Sequence, residues 1–336
     1  MASNIEKLAI VIVTYKRDDL LDALLDSLLF LKDDPWRVYV IDNDNSSETR
    51  SIVELYARLA GEGATEVAWS AGEDSFVYVP MLENTGGAGG FSEGVKRAYA
   101  DGAEWFWLMD DDVEAAPEAI SLLSKWTSKF DAIQGSRLDF DGGAFYWQYR
   151  FFERLGMYDP MASSSSSAEG WRQANALCFE GALFNRKIVE TLGPPDGRFF
   201  LYWDDCVYGY LASKFARVAL VDDVILKRSR EVSHREIGSA RQLNSFSDMT
   251  RYHVMRNRGL MGNYMKIAGD YSPVPFALGT VLVAAKELVR LAVVDRDKIV
   301  TGLPALYSGW REANRILHDR EWVPVTAEDL PTDADR

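Results

Sequence analysis

The chain contains few of the residues from which several common kinds of site are built. Its 336 residues include 2 cysteines, Cys178 and Cys206, and 3 histidines. This excludes a disulfide scaffold and a cysteine-rich zinc site, and we expect a reducing, cytoplasmic environment. Basic residues are also outnumbered, with 37 Lys+Arg against 51 Asp+Glu and a net charge of −14. A nucleic-acid partner is therefore not expected, because binding a phosphate backbone needs a basic surface.

Long hydrophobic runs are missing as well. The longest apolar stretch, residues 274–285, is too short to cross a bilayer. A strand-like run begins so close to the N-terminus that no secretory signal is expected. A hydrophobic content of 47% and a charged content of 26% are ordinary for a globular chain. The length fits about two domains, or one large α/β domain with additions.

Apolar runs alternate with segments of helical spacing over residues 8–130. The predicted strands are Leu8–Val13, Val38–Ile41, Phe76–Pro80 and Trp105–Met109, and the predicted helices are Asp18–Leu31, Ser51–Ala60, Phe91–Ala100 and Glu118–Phe130. Asp18 is expected to cap the first helix. Strands that alternate with helices imply right-handed βαβ units and a mostly parallel sheet with flanking helices, an α/β fold.

The pattern changes after residue 132. An aromatic-rich segment, Phe140–Phe152, predicts a β-hairpin, and the serine-rich Met161–Gly170 predicts a loop. Further strands are expected at Ala174–Phe179, Ala182–Phe184 and Val218–Val221, and helices at Asn185–Leu192, Asp204–Phe215 and, as the longest one, Pro273–Val294. From Asp248 the chain is expected to be helical, and the acidic tail from Thr326 to be disordered.

Polar side chains follow three of the predicted strands. Thr14 and Tyr15 come after the first strand, Asp42–Ser46 after the second and Asp110–Asp112 after the fourth. In parallel α/β sheets, ligands bind beyond the carboxyl ends of the strands. The sequence therefore predicts a binding site at one edge of the sheet.

The triplet Asp110-Asp111-Asp112 is a candidate metal site. Carboxylate oxygens suit Mg²⁺ or Mn²⁺, and Mg²⁺ typically takes one or two carboxylates together with substrate phosphates. A solvated acidic turn is the alternative. The position of the triplet directly after a buried strand favours the metal site.

A glycine-rich segment, Asn84-Thr85-Gly86-Gly87-Ala88-Gly89-Gly90-Phe91, precedes the third predicted helix. Its glycines allow backbone to approach a ligand closely, and the following helix offers free N–H groups. It matches neither the dinucleotide fingerprint nor a phosphate-binding loop of the Walker type. A flexible turn is the alternative interpretation.

Two further features could carry chemistry. Asp204 and Asp205 follow Trp203 at the start of a predicted helix, where they could cap the helix or act as a general base. Aromatic neighbours would raise the basicity of such a carboxylate. His234 lies in a predicted loop, where it is either a surface residue or a metal ligand.

Four motifs in this order resemble the family-2 inverting glycosyltransferases of the GT-A fold. They are Ile12-Val13-Thr14-Tyr15, Ile41-Asp42-Asn43, Asp110-Asp111-Asp112 and Trp203-Asp204-Asp205. The glycine-rich segment is most similar to bacterial galactofuranosyltransferases, with rhamnosyltransferases next. The resemblance spans roughly residues 5–235 and implies a Rossmann-like nucleotide-sugar-binding domain.

The resemblance also implies roles for individual residues. Asp205 would be the catalytic base with Asp204 in support, and Trp203 would contact the acceptor. Asp112, Asp110 and, less securely, His234 would bind the metal. The donor nucleotide-sugar would be bound by residues from all three strand ends and the glycine-rich segment: Thr14, Tyr15, Asp42, Asp44, Asn84, Gly86, Gly87, Gly89, Asp110 and Asp111. The family often has an acidic residue where this chain has Val207, so an acceptor contact there is not expected.

The expected function is transfer of galactofuranose from UDP-galactofuranose, with Mn²⁺ or Mg²⁺, onto a glycan or polyprenyl-linked saccharide in bacterial cell-surface polysaccharide synthesis. One base suffices for a direct inverting displacement, whereas a glycosidase needs two opposed carboxylates. A dTDP-rhamnose-dependent rhamnosyltransferase is the alternative donor assignment. A nucleotidyltransferase and a non-catalytic nucleotide-sugar-binding protein are the alternatives outside the class.

The expected domains are a catalytic domain over residues 1–235, a helical region over 236–325 and a disordered acidic tail over 326–336. The apolar helix at 274–294 carries Lys286, Glu287 and Arg290. It could be a buried bundle helix, an interfacial helix at the inner face of the membrane, or an oligomer contact. This region could therefore bind the membrane surface or a second copy of the chain.

Overall fold

The computed structural model of the chain describes residues 5–61, 72–143, 149–159, 167–231, 234–236 and 242–332. The predicted alternation of strands and helices is confirmed in the first part of the chain. In order, the elements are β1 (Leu8–Thr14), α1 (Asp18–Leu29), β2 (Arg37–Asp42), α2 (Ser47–Gly61), β3 (Phe76–Pro80), α3 (Gly86–Asp101), β4 (Trp105–Asp110), β5 (Val113–Ala115), α4 (Ala119–Ser124) and β6 (Ala132–Leu138).

The second part of the chain adds short strands and longer helices. They are β7 (Phe151–Phe152), β8 (Met157–Tyr158), β9 (Trp171–Gln173), β10 (Ala182–Asn185), α5 (Arg186–Leu192), α6 (Asp204–Ala212), β11 (Val218–Arg228), β12 (His234–Glu236), β13 (Gln242–Asn244), α7 (Asp248–Ile267), α8 (Pro273–Val293) and α9 (Ile299–Leu317).

A nine-stranded sheet runs through the described residues in the order β3-β2-β1-β4-β10-β6-β11-β5, with β9 paired to β11. The pairs β3–β2, β2–β1, β1–β4 and β6–β11 are parallel, whereas β10 runs antiparallel to both of its neighbours. The predicted α/β fold with a mostly parallel sheet is therefore confirmed. In this register Thr14 lies beside Asp42, and Val13 lies beside Asp110. The three polar strand ends thus share one edge of the sheet.

The two faces of the sheet are buried under different helices. All seven residues of β1 are buried, and successive side chains of a strand point to opposite faces. Leu8, Ile10 and Ile12 pack with the helices α1, α2 and α4, while Ala9 and Val11 pack with α3, α5 and α6. This two-sided burial explains why the strand reads as an unbroken apolar run rather than an alternating one.

Several predicted elements were wrong. Asp18 does not cap α1, because it is the first helical residue and its carboxylate accepts a hydrogen bond from the Thr49 hydroxyl at 2.8 Å. The helix predicted over Glu118–Phe130 ends at Ser124. Of the hairpin predicted over Phe140–Phe152, residues 144–148 lie outside the described part of the chain, and β7 at its end pairs with β8.

The strand predicted at Ala174–Phe179 is also absent. Its apolar side chains are buried, but the backbone forms no ladder. Instead the segment packs under α6, where a Cβ on Gly209 would lie 2.2 Å from the backbone nitrogen of Leu177. Burial rather than strand pairing thus explains its composition. Of the predicted loop at Met161–Gly170, residues 160–166 lie outside the described part of the chain.

The C-terminal part is helical, as predicted. α7 is packed against α9 and is buried along most of its length. α8 carries its ion pair inside, since Glu287 and Arg290 are both buried while Val274, Val281 and other apolar side chains are exposed. No helix within the described ranges has the length and apolar character needed to cross a membrane. The division of the chain near residue 235 stays a prediction.

The acidic tail differs from its predicted disorder over residues 326–332. Thr326 caps a short 3-10 turn at Ala327–Asp329, and its side chain accepts a hydrogen bond from the backbone N–H of Glu328. Leu330 is buried against the sheet domain. Local capping and one apolar anchor therefore order a segment whose composition suggested disorder. Residues 333–336 lie outside the described part.

Candidate active site

The end of β1 holds the middle aspartate of the triplet. Thr14 donates a 2.7 Å hydrogen bond from its hydroxyl to Asp111, and Arg17 places a guanidinium nitrogen 3.1 Å from the same carboxylate. Asp111 is fully buried, and burial raises its pKa to about 6 although Arg17 and Thr14 act in the opposite direction. Asp111 therefore fixes the β1 end to the β4 end.

The outer aspartates of the triplet face a different environment. Asp112 is bound by two cations, Arg17 at 3.3 Å and Arg230 at 2.7 Å. Asp110 accepts no hydrogen bond and forms no ion pair within the described residues. Its pKa is raised well above the ordinary value by burial and by the neighbouring charges of Asp112 and Glu180. Among the described residues, the Asp110 carboxylate is thus the acid of the triplet that forms no ion pair, although the charge of Arg17 acts to lower its pKa.

The end of β2 is held together by a buried carboxylate. Asp42 accepts hydrogen bonds at 2.8 Å from the backbone N–H of Asp44, the backbone N–H of Ser46 and the hydroxyl of Tyr78. Asp44 itself lies 3.5 Å from the amine of Lys16. The motif residues after β1 and β2 are therefore brought side by side, with the Asp42 carboxylate shaping the turn between β2 and α2.

The glycine-rich segment is the start of a helix rather than a loop before one. α3 begins at Gly86, five residues earlier than predicted. Glycine is needed at some positions of its first turns because they pack too closely against neighbouring residues for a Cβ. A Cβ on Gly86 would lie 2.1 Å from the carbonyl oxygen of Phe200, and one on Gly90 would lie 2.5 Å from Val13. Gly87 is different, since nothing lies within 4 Å of its Cβ position. Gly87 thus faces the open side of the segment.

Asn43 connects the β2 end to this segment. Its side-chain oxygen accepts hydrogen bonds at 3.1 Å from both the backbone N–H and the hydroxyl of Thr85, and its side-chain nitrogen donates to the Gly86 carbonyl at 3.1 Å. The Asn84 side chain accepts from the Gly86 N–H at 2.9 Å. The β2 end and the glycine-rich segment are therefore one hydrogen-bonded unit.

Asp204 and Asp205, the two candidates for a general base, begin α6 but face different surroundings. Asp205 accepts hydrogen bonds from the backbone N–H of Cys206 at 2.6 Å, from the thiol of Cys178 and from the backbone N–H of Phe179. Asp204 instead lines a cavity of about 190 Å³ that Asp196 and Tyr264 also line. Of the pair, Asp205 is the one on the side of the strand-end acids.

Contacts lead from Asp205 to the aspartate triplet. The Cys178 thiol accepts a hydrogen bond from Arg137 at 3.6 Å, and Arg137 lies 3.0 Å from the carboxylate of Glu180. Glu180 in turn is close enough to Asp110 to raise its pKa. Arg137 and Glu180 thus bridge the two acidic groups. We call the connected set Asp205, Cys178, Arg137, Glu180 and Asp110 the polar layer.

Both aspartates of α6 are harder to ionise than free aspartate. Burial is the main cause at both, and the charge of Asp205 further opposes ionisation of Asp204. Three hydrogen bonds and the nearby Arg137 counteract the effect at Asp205. Asp204 therefore keeps its proton to a higher pH than Asp205, and Asp205 is the better placed of the two to act as a base near neutral pH.

Two predicted site residues are less closely connected. The indole N–H of Trp203 donates to the carbonyl of Val254 at 3.1 Å, and its ring stacks on Tyr158 at 5.6 Å between centroids. The backbone of His234 is paired with Asn244, but its side chain lies outside the described residues. The acceptor role of Trp203 and the metal role of His234 stay predictions.

Several residues of the site were not found from the sequence. Arg17, Arg137, Glu180 and Arg230 bring charge to the polar layer from distant segments. Arg137 is a buried charge in β6, but the strand also contains Gln134 and Ser136, so its sequence gives no clear signal of that burial. Glu180 and Arg230 carry no signal either, because only the folded chain brings them close.

The protein-family comparison matches the chain to "Glycosyl transferase family 2" over residues 9–193, more than half of its length. Galactofuranosyltransferase GlfT1 of Mycolicibacterium smegmatis is 30% identical over 209 residues, which are 60% of this chain and 64% of that protein. The protein of the same name from Mycobacterium tuberculosis is 29% identical over 206 residues, 60% of this chain and 62% of that one. The chain thus spans somewhat less than two thirds of these curated relatives.

Solved glycosyltransferase structures share the fold across nearly the whole chain. Staphylococcus aureus TarS 1-349 in complex with UDP-GlcNAc covers 93% of this chain and 81% of its own, with a TM-score of 0.52 at 14% identity. The mannosyltransferase PcManGT of Pyrobaculum calidifontis, in complex with GDP-Man and Mn²⁺, covers 94% and 88%, with a TM-score of 0.51 at 16% identity. The predicted GT-A fold is therefore confirmed, and the chain belongs to glycosyl transferase family 2.

Proposed function

We propose that the protein is an inverting, divalent-metal-dependent glycosyltransferase whose donor is UDP-galactofuranose. The observation that carries the proposal is the polar layer that joins Asp110 to Asp205 through Glu180, Arg137 and Cys178. This connection supports a site in which Asp110 binds on the donor side and Asp205 acts as the base of a single displacement. The family assignment does not support the nucleotidyltransferase alternative.

The carboxylates at the end of β4 fit a divalent cation that takes few ligands from the protein. No three Asp, Glu, His or Cys side chains converge on one point in the described part of the chain. Mg²⁺ nevertheless needs only one or two carboxylates when substrate phosphates complete its shell. Asp110 forms no ion pair in the described part of the chain and lies close to Asp112 and Glu180, so Asp110 and Asp112 would hold the ion. The bound cation would stabilise charge on the leaving diphosphate.

The protein's own groups account for the other steps. Thr14, Tyr15 and the β2 end would bind the nucleoside at the edge of the sheet, with Asp42 and Asp44 next to its pyrimidine ring. Asp205 would remove the proton from an acceptor hydroxyl as that oxygen attacks the anomeric carbon from the face opposite the diphosphate. The carbon–oxygen bond to the diphosphate breaks as the new glycosidic bond forms, and the configuration inverts.

The galactofuranose assignment rests on the similarity to the two mycobacterial proteins and on the glycine-rich segment. The acceptor would be a glycan or polyprenyl-linked saccharide in cell-surface polysaccharide synthesis, and the protein would work in the cytoplasm. dTDP-rhamnose remains the alternative donor.

A nucleotide-release assay tests the proposal. The protein is incubated with UDP-galactofuranose, UDP-galactopyranose, UDP-GlcNAc or dTDP-rhamnose, with Mn²⁺, Mg²⁺ or EDTA, and released UDP or dTDP is measured. We expect metal-dependent UDP release from UDP-galactofuranose that EDTA abolishes. Preference for dTDP-rhamnose would refute the donor only. Full activity in EDTA would refute the metal, and no binding of any pyrimidine nucleotide would refute the function.

A further inference from the structure

The segment just before Asp205 has an unusual backbone. Phe200, Tyr202 and Trp203 have φ angles of 63°, 70° and 75°, although none of them is glycine. Residues with a Cβ adopt this left-handed region at an energetic cost, and they stay there only when the surrounding structure holds them. Three such residues within four positions therefore need contacts from other parts of the chain to hold them in place.

A single side chain of α7 supplies that support. The amide nitrogen of Asn257 donates to the carbonyl oxygens of Phe199 at 2.9 Å, Leu201 at 2.8 Å and Tyr202 at 2.9 Å. Two hydrogens are thus shared among three acceptors of the segment. The amide oxygen accepts from Arg256 at 2.9 Å, and the side chain is fully buried. Both ends of the amide have partners that fit this orientation and not the flipped one.

Other contacts of the segment show what moves with it. The Phe200 carbonyl also accepts the backbone N–H of Ala88, in the first turn of α3, at 3.1 Å. Trp203 precedes Asp204 and ends the segment where α6 begins. A displacement of residues 199–203 would therefore move the start of α6, and with it the Asp205 carboxylate, relative to the rest of the polar layer.

We propose that Asn257 is a positioning residue, which holds Phe200, Tyr202 and Trp203 at their positive φ angles and so aims Asp205 at the acceptor hydroxyl. The inference rests on the function proposed above. It assigns to α7, outside the residues matched by the family comparison, a role in the geometry of the catalytic base. Asn257 itself would not touch either substrate.

The experiment compares three variants of the full chain. Asn257→Ala removes the amide, and Asn257→Asp keeps its size and its acceptor toward Arg256 but presents oxygen to three carbonyls. The control is Asn263→Ala, because Asn263 is another buried asparagine of α7, whose amide donates to the Ile316 carbonyl at 2.8 Å, away from the segment. Melting temperatures are measured first, and kinetics are then run well below the lowest of them.

We expect both Asn257 variants to lower kcat at least tenfold, with the Kd for UDP within about twofold of wild type. Asn263→Ala should lose stability but keep kcat within about twofold. Hydrogen–deuterium exchange of the amides of residues 200–206 should be at least tenfold faster in Asn257→Ala and unchanged in Asn263→Ala.

Two results would overturn the inference: wild-type exchange of residues 200–206 in Asn257→Ala, or an equal loss of kcat in the Asn257 and Asn263 variants. The exchange measurement requires no substrate. If wild-type protein transferred no sugar from any donor, the proposed function would fail, while the exchange data would still decide whether Asn257 holds the segment.

Discussion

The proposed site has two sides that are built in different ways: a donor side, formed by the ends of β1, β2 and β4 with the glycine-rich segment, and a base side around Asp205. On the donor side, the motif residues stand at the ends of three neighbouring parallel strands, and their partners come mainly from the adjoining loops, as with Asp42 and Ser46. On the base side, Asp205 follows a segment of left-handed residues that a helix over a hundred residues from the strand ends holds in place. The sheet topology alone places the donor side, whereas the base side depends on the C-terminal helices.

The family match follows the same division. It covers residues 9–193, which include all three strand ends and the glycine-rich segment, but neither Asp205 nor α7. The family match therefore includes the proposed nucleotide-binding residues and leaves out the proposed base. The features that would choose and orient the acceptor lie largely in the remaining part of the chain. The separation of the two sides can therefore be tested by substituting a residue on one side and measuring both UDP binding and turnover.

The largest effect is expected from Asp205→Asn. A general base contributes roughly 10²–10⁴-fold to turnover, so kcat should fall by about that factor. The Kd for UDP should stay within about threefold of wild type, because the proposed nucleotide site lies at the strand ends and not at Asp205. Both are measured by UDP release and by calorimetry, with the exposed Asp319→Asn as control. A kcat within threefold of wild type would remove Asp205 from the role of base.

Asp112→Asn should have the opposite pattern. The amide lacks the charge that a hard cation prefers, so we expect Mn²⁺-dependent UDP affinity to fall by about tenfold or more. The control is Glu114→Gln, an exposed carboxylate two residues along the chain. Calorimetry with and without Mn²⁺ measures the effect. If UDP binding kept its wild-type dependence on Mn²⁺, Asp112 would not be a metal ligand and the donor side would need another acid.

These two sides also differ in how far the sequence predicts them. The strands β1 to β4 and their polar ends were predicted because buried apolar runs and helical spacing are local signals. The layer that joins Asp110 to Asp205 was not, because Arg137, Cys178 and Glu180 are brought together by the antiparallel placement of β10 between β4 and β6. Asn257 had no signal either, since one polar residue in a helix does not reveal which distant carbonyls it contacts.

A third prediction concerns the contact between the two sides. Gly86 has a φ of 72°, and a Cβ there would lie 2.1 Å from the Phe200 carbonyl oxygen. Gly86→Ala should therefore lower the free energy of unfolding by about 1–3 kcal/mol, through strain and the displaced segment. Gly87→Ala is the matched control, with open space around its Cβ and a better helix former in place of glycine. Urea denaturation measures both, and equal losses would mean that the contact with Phe200 is not tight.

The smallest effect is expected at Cys178, and it tests how the base side sets its own acidity. Burial raises the pKa of Asp205 to about 6, and the Cys178 thiol lowers it by donating a hydrogen bond to the carboxylate. The base works in its ionised form, so kcat/KM should fall as the pH drops through this pKa. Cys178→Ala removes the donor, which disfavours the carboxylate and should move the acidic limb of the pH profile upward by about half a unit. Cys178→Ser keeps a donor and should leave the limb near its wild-type position, as should Cys206→Ala, because that thiol makes no hydrogen bond to Asp205. A limb that moved downward in Cys178→Ala, or moved equally in all three variants, would show that the group titrating in the profile is not Asp205.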